Sequence, residues 1–379
     1  MTKSPDPTAD RLAHAVLTTR LHLRPKENVT IEAYPRALRW ATGFVREARR
    51  LGARPILLYE DERSYWDAIE SGRAALLGSP GEHEWAALEQ TDVYIYFWGP
   101  EDVARRDRLP GSVRARLTAY NGRWYERARK AGVRGARMAI ARVTEENARH
   151  WGVSVSAWQN ELLTASTRDP STLRNDAETV RRALARGRSI RLTHPNGTDL
   201  TLGLRTRPVQ LGLGEVTPAS RKTAFGMLAN VPDGTVYVAL DEETADGTLV
   251  ANRPTARGGT ALKGGRWTFK NGRLRSFRFS EGGSAFAREY RAGAPGKDRP
   301  SFVEVGLDPD LRHAPMMEEA ERGAVTIGVG RNVGWGGKTK GDFLGYITVG
   351  GARLWVDGRP LVSRGRVVPS GASRDPAMA

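Results

Sequence analysis

The stretch Val29-Thr30-Ile31-Glu32-Ala33-Tyr34 reads as a short strand. It is followed by an amphipathic run from Arg36 to Leu51 that ends at Gly52, and then by Pro55-Ile56-Leu57-Leu58-Tyr59, a second and buried strand. The order then repeats. Glu84 to Glu89 is helical, Val93 to Trp98 is an apolar aromatic strand, Gly122 to Ala131 is a helix closed by Gly132, and Arg137 to Val143 is another strand. Strands joined through helices cannot pair as hairpins, so their connections cross a sheet face and the sheet is parallel or mostly parallel. From Trp158 to Ala185 the period is helical, with Asp169-Pro170-Ser171 as a break and N-cap between two helices.

After Gly187 the texture changes to short strands punctuated by turns. Pro195-Asn196-Gly197-Thr198 separates two apolar runs, Ile190 to Thr193 and Leu200 to Leu204, and Lys270-Asn271-Gly272-Arg273 separates two more. Both are hairpin signals. The expected division is therefore 1–187, an α/β domain, and 188–379, a β-rich domain with few helical candidates, one being Pro315 to Arg322.

A chain of 379 residues with 39% hydrophobic content can bury cores in both domains. It has no cysteine, which excludes disulfides, thiolate metal sites and a cysteine nucleophile and fits a reducing cytoplasm. The segment Met1 to Asp10 is polar and lacks the apolar core of a signal peptide, and no run is long enough for a membrane span. The expectation is a cytoplasmic protein with no membrane partner. Lys plus Arg number 59 against 43 Asp plus Glu, a net charge of +16. Such an excess of cations suits a polyanionic partner, and arginine enrichment in a GC-rich genome is the alternative.

Several segments after residue 229 resemble the thermophilic metalloaminopeptidase family that contains aminopeptidases T and S. They are Asn230-Val231-Pro232-Asp233-Gly234-Thr235-Val236-Tyr237, Glu242 to Gly247, Val303-Glu304-Val305-Gly306-Leu307-Asp308-Pro309, Gly323-Ala324-Val325-Thr326-Ile327-Gly328-Val329-Gly330, and Gly336-Gly337 through Asp342 to Val356-Asp357-Gly358. The architecture this implies is α/β: a Rossmann-like N-terminal α/β domain followed by a β-rich aminopeptidase T-like domain. The resemblance also implies a homodimer and a two-metal site with five ligand positions. Those positions fall on Thr235, Glu304, Thr326, Leu344 and Tyr346, and only Glu304 keeps a ligand side chain. Zinc and hard divalent ions need several carboxylate or imidazole donors, which a threonine or a leucine does not replace. The site is expected to hold no metal, and no other cofactor motif is present. Of the six histidines, His313 alone lies within the region these segments span, as a surface residue or as part of the pocket.

A pocket that recognises an aminoacyl group but lacks a metal-activated water suits acyl transfer from an activated ester, and aminoacyl-tRNA is such a donor. On that reading the chain is a metal-independent enzyme moving an aminoacyl group from aminoacyl-tRNA to a small-molecule acceptor, a step suited to natural-product biosynthesis. Glu304 would grip the α-ammonium or act as a base. Thr235 and Thr326 would supply hydroxyls, and Tyr346 an acid or orienting donor. The tRNA would lie on Arg253, Arg257, Lys263, Arg266, Trp267, Lys270, Arg273, Arg275 and Arg278, a stretch with eight cations and no acid, and on Lys338 and Lys340. The alternative for the same stretch is an exposed amphipathic hairpin, basic outside and aromatic inside. Two functional alternatives stay open: an aminopeptidase-like metallohydrolase acting on a small amide or peptide, and a noncatalytic binding protein.

Overall fold

The computed structural model describes residues 6–71, 73, 80–100, 102, 105, 109, 111–222, 226–257 and 260–369. The chain forms two compact units, 1–170 with 214–232, and 171–213 with 233–379. It passes between them three times, where the change of texture at Gly187 predicts a single passage at 187/188. Two elements account for the difference. Helix Arg174–Arg186 buries Ala177, Val180 and Leu184 in the core of the second unit. Strand Leu228–Val231 pairs in parallel with Arg134–Met138 in the sheet of the first.

The first unit is built on a five-stranded, wholly parallel sheet. Asn28–Ala33 lies between Arg54–Tyr59 and Val93–Phe97, and Arg134–Met138 and Leu228–Val231 follow on the far side of Val93–Phe97. Val29, Ile31, Ile95 and Phe97 are fully buried, and so is Phe44 of helix Leu38–Arg50, whose ring meets Phe97 edge to face at 5.3 Å. A Cβ on Gly43 would come within 2.9 Å of Ala9, so glycine there permits helices Pro7–His14 and Leu38–Arg50 to pack closely. Arg20 is buried and donates to the carbonyls of Ala165, Ser166, Arg168 and Gly214, which tie the end of the unit's helical segment and its returning loop to one side chain. The strand expected over Arg137 to Val143 is instead Arg134–Met138, followed by a 3-10 turn at Ala139–Arg142.

The second unit is dominated by a large antiparallel sheet organised on the 16-residue strand Thr235–Val250. Along its length this strand pairs with Gln210–Gly212, Pro300–Gly306, Thr198–Leu204 and Arg266–Lys270. Both sequence-predicted hairpins form, Ser189–His194 with Thr198–Leu204 and Arg266–Lys270 with Arg273–Arg278. Asn271 and Gly272 have φ of 51° and 68°, as a tight hairpin turn requires. Pro315 to Arg322 is not helical. It is a run of turns with Met316 at φ 62°, a backbone state that interrupts a right-handed helix. The helix lies at Gly283–Ala292, where Phe286 and Tyr290, four residues apart, stack at 6.2 Å against the core. Among the described residues no helix is long and apolar enough to cross a membrane.

Candidate functional site

Antiparallel pairing places directly opposed residues on the same face of a sheet, and alternate residues of each strand share that face. Glu304 is opposed by Tyr237 on one side and by Thr326 on the other, and Thr326 is opposed by Thr348. Thr235 pairs with Gly306, Gly328 with Tyr346, and Gly330 with Leu344. The register therefore gathers all five positions singled out by the resemblance, Thr235, Glu304, Thr326, Leu344 and Tyr346, on one face.

Within that face the chemistry centres on carboxyl groups. Thr235 is buried, its hydroxyl donates to Asp233 Oδ1 at 3.0 Å, and it stands close enough to the Glu304 carboxyl to act on its proton affinity. The Gly234 backbone N–H donates to the same Asp233 oxygen at 2.7 Å. Gly212 makes room for this arrangement, since a Cβ there would stand 2.6 Å from Asp233 Oδ2 and 2.7 Å from Thr235 Oγ1. Burial first, and then the negative charges of Asp233 and Glu318, push the Glu304 carboxyl up to about 8, against the smaller lowering effect of the Thr235 hydroxyl. Glu319 is driven well above the usual carboxylate range by burial and by Glu318, Glu304 and Asp233. At neutral pH Glu304 thus holds its proton. A neutral Glu304 carries a proton to donate, while the Thr235 hydroxyl gives its hydrogen bond to Asp233.

The other site residues are differently engaged. Thr326 is fully buried and its hydroxyl bonds that of Thr348 at 2.8 Å. Tyr346 is partly exposed, with its ring 6.3 Å from that of Phe302, two residues from Glu304 on the same face. Phe302 lies over Gly328, where a Cβ would approach its ring within 2.4 Å, and meets Trp335 at 4.9 Å. His313 is exposed. Among the described residues no three His, Asp or Glu side chains are disposed to ligate one ion. With hydroxyl or hydrocarbon at most positions where the resemblance implies ligands, the donor set does not fit a metal pair. The sequence pattern missed Asp233, Glu318, Glu319 and Thr348. Asp233 stands inside a quoted motif but carries no motif role, and the two glutamates lie in the stretch expected to be helical.

The basic hairpin divides into inside and outside. Trp267 is fully buried, with its ring 5.7 Å from Phe286, and Phe269 is buried beside it. Trp267 therefore has no surface on which a base could stack, because strand alternation turns it into the core. Arg253 pairs with Glu321 at 2.5 Å, Lys263 with Glu281 at 2.7 Å and Arg273 with Asp298 at 2.7 Å. Lys270, Arg275 and Arg278 are exposed, and Arg266 is partly so. The Arg257 side chain lies outside the described residues. Lys338 and Lys340 are exposed on a loop whose base is fixed. There buried Asn332 donates to Glu242 at 2.9 Å and accepts from the Thr339 N–H, and Glu242 accepts from the Lys338 N–H at 2.7 Å and from Arg207 at 2.6 Å. These donors outweigh burial and hold Glu242 down at about 2.

A model of the thermophilic metalloprotease (M29) family matches residues 6–290, a span that stops short of Glu304. Aminopeptidase AmpS of Bacillus subtilis (strain 168) is 29% identical over 86 residues, 23% of this chain and 20% of AmpS, so the aligned stretch spans about a fifth of that relative. Among solved structures, wild-type AmpT from Thermus thermophilus matches with a TM-score of 0.68 at 18% identity, over 96% of this chain and 99% of AmpT. A 2,5-dihydroxypyridine dioxygenase from Pseudomonas putida KT2440 matches with a TM-score of 0.61 at 14% identity, over 96% and 97%. These likenesses show the fold, and two such different names on it leave the reaction to be argued from the site.

Proposed function

The chain belongs to the thermophilic metalloprotease (M29) family, and on that footing we propose that it acts on the acyl group of a small α-amino amide, ester or short peptide through Glu304 and Asp233. The observation that carries this reading is the grouping of Glu304 and Thr235, the latter bonded to Asp233, on the sheet face where the family resemblance puts the site. Two carboxyl groups in one site, one of them holding its proton at neutral pH, suit general acid and general base roles. Glu304 donates to the carbonyl or leaving atom, and Asp233 accepts a proton from the nucleophile. An entering α-ammonium also has a place, because the charged groups acting on Glu304 are carboxylates. Tyr346 is the further donor on this face.

The test is turnover of aminoacyl p-nitroanilides and aminoacyl esters before and after exhaustive chelation. Activity should survive chelation and fall by about 10²-fold or more in Glu304→Gln, the usual weight of a positioned acid or base. Activity that disappears on chelation and returns with zinc, cobalt or manganese would overturn the reading.

Transfer from aminoacyl-tRNA is a second reading, favoured by the exposed Lys338 and Lys340. They lie on the loop whose Trp335 packs against Phe302, a neighbour of Glu304 on the site face. It predicts salt-sensitive tRNA binding weakened by Lys338→Glu together with Lys340→Glu. Binding no tighter than to heparin would dismiss it.

A further inference from the structure

The parallel sheet of the first unit carries a cavity of about 840 Å³. Glu32 and Tyr34 come from the carboxyl end of Asn28–Ala33 and just beyond it, and Tyr96 and Trp98 from that of Val93–Phe97. Chain order reverses direction between these two strands, since Arg54–Tyr59 lies to one side of Asn28–Ala33 and Val93–Phe97 to the other. Crevices at the carboxyl ends of strands at such a switch are where open α/β sheets take ligands. The volume is within the range of small-molecule sites.

The lining narrows the ligand. Tyr34, Trp85, Tyr94, Trp98, Tyr120 and Trp124 supply aromatic walls, which favour planar rings and cations. Glu32, Glu60 and Glu84 face the same space. Tyr94 donates to Glu32, and Tyr120 to Glu84 at 2.9 Å, yet among the described residues none of the three carboxyl groups has an ion pair. Arg137 lines the cavity as well, and its one hydrogen-bond partner among the described residues is the Tyr125 hydroxyl at 3.2 Å. Parallel register sets Glu32 beside Tyr96 and Tyr96 beside Arg137, so acid, ring and guanidinium form a row on one sheet face. Two strand spacings separate the Glu32 and Arg137 backbones by roughly 10 Å. Burial pushes the Glu32 carboxyl up to about 7 and raises Glu60, so a ligand cation beside them favours their charged form. Arg142, also in the lining, lies over the Trp98 ring at 3.3 Å, and the buried Arg137 Nε has no hydrogen-bond partner among the described residues and suits a ligand anion. The turn after the first strand, Tyr34-Pro35-Arg36-Ala37, has no glycine and so lacks the phosphate cradle of a dinucleotide site.

We propose that this cavity is a second ligand site that takes an aromatic zwitterion of dipeptide size, its ammonium among Glu32, Glu60 and Glu84 and its carboxylate on Arg137. The inference does not rest on Glu304. Trp85, Trp98 and Trp124 make binding visible as a change of tryptophan fluorescence. The titrants are phenylalanyl-phenylalanine, its C-terminal amide, which keeps only the positive charge, and its N-acetyl form, which keeps only the negative one. The free dipeptide should bind at least about tenfold more tightly than either capped form, the value of one charge-assisted hydrogen bond. Glu32→Gln should weaken the free dipeptide and the amide but not the N-acetyl peptide, and Arg137→Met should do the opposite for the capped pair. In Glu304→Gln the fluorescence titration should be unchanged although turnover is lost. Equal binding of all three peptides, absence of any saturable signal, or loss of binding in Glu304→Gln would overturn the proposal. The last outcome would place the dipeptide at the Glu304 site instead.

Discussion

Glu304→Gln should change the pH dependence of stability in a way that isolates this one carboxyl. Glu304 has an ordinary value of 4.5 and is pushed to about 8 in the folded chain. A carboxyl raised on folding keeps its proton in the native state while the unfolded chain releases it, so native stability falls as pH rises from 4.5 to 8 and is level above. At about 1.4 kcal/mol per pH unit the full interval is worth roughly 5 kcal/mol. Partial exposure and sharing of protons with Glu319 reduce this to roughly 2–4 kcal/mol. Glutamine keeps a polar group of the same shape beside Thr235 but cannot ionise, so this slope disappears. Urea denaturation of both proteins at pH 5, 6, 7 and 8 reads the effect directly. The variant should be close to wild type at pH 5 and more stable by roughly 2–4 kcal/mol at pH 8. A difference between the two proteins that stays constant across those four pH values would refute the account of Glu304 as a proton-holding group.

Three further outcomes can be checked. Glu242 is the reverse case: its carboxyl is held at about 2, so its contribution is present above pH 4.5 and fades as pH falls toward 2, and Glu242→Gln should flatten acid denaturation in that window by roughly 3 kcal/mol. Trp267→Ala removes a fully buried ring and should cost about 3–5 kcal/mol in urea denaturation, while leaving any tRNA affinity in a native-condition gel shift unchanged. Gly135→Ala would put a Cβ 1.9 Å from the Tyr94 carbonyl and 2.8 Å from Leu228. It should lower the urea midpoint by more than the few tenths of a kcal/mol typical of surface changes, and disturb dipeptide fluorescence in the cavity.

Local chemistry determined much of this protein from its sequence. Apolar alternation, helix exits at Gly52 and Gly132, and the Asn-Gly turns at 196–197 and 271–272 depend on neighbours a few residues away, so the strands, helices and hairpins they mark could be read directly. The absence of ligand side chains at Thr235, Thr326, Leu344 and Tyr346 was equally plain. Tertiary structure decided what requires distant segments to meet. It moved Leu228–Val231 into the first unit's sheet, turned Trp267 inward, and made turns of Pro315 to Arg322, whose buried Glu318 acts on Glu304. It also brought Asp233 to the Thr235 hydroxyl and aligned Glu32, Tyr96 and Arg137 across three strands. Burial and the proximity of like charges set the proton on Glu304, and both arise only when strands far apart in the chain pair in one register.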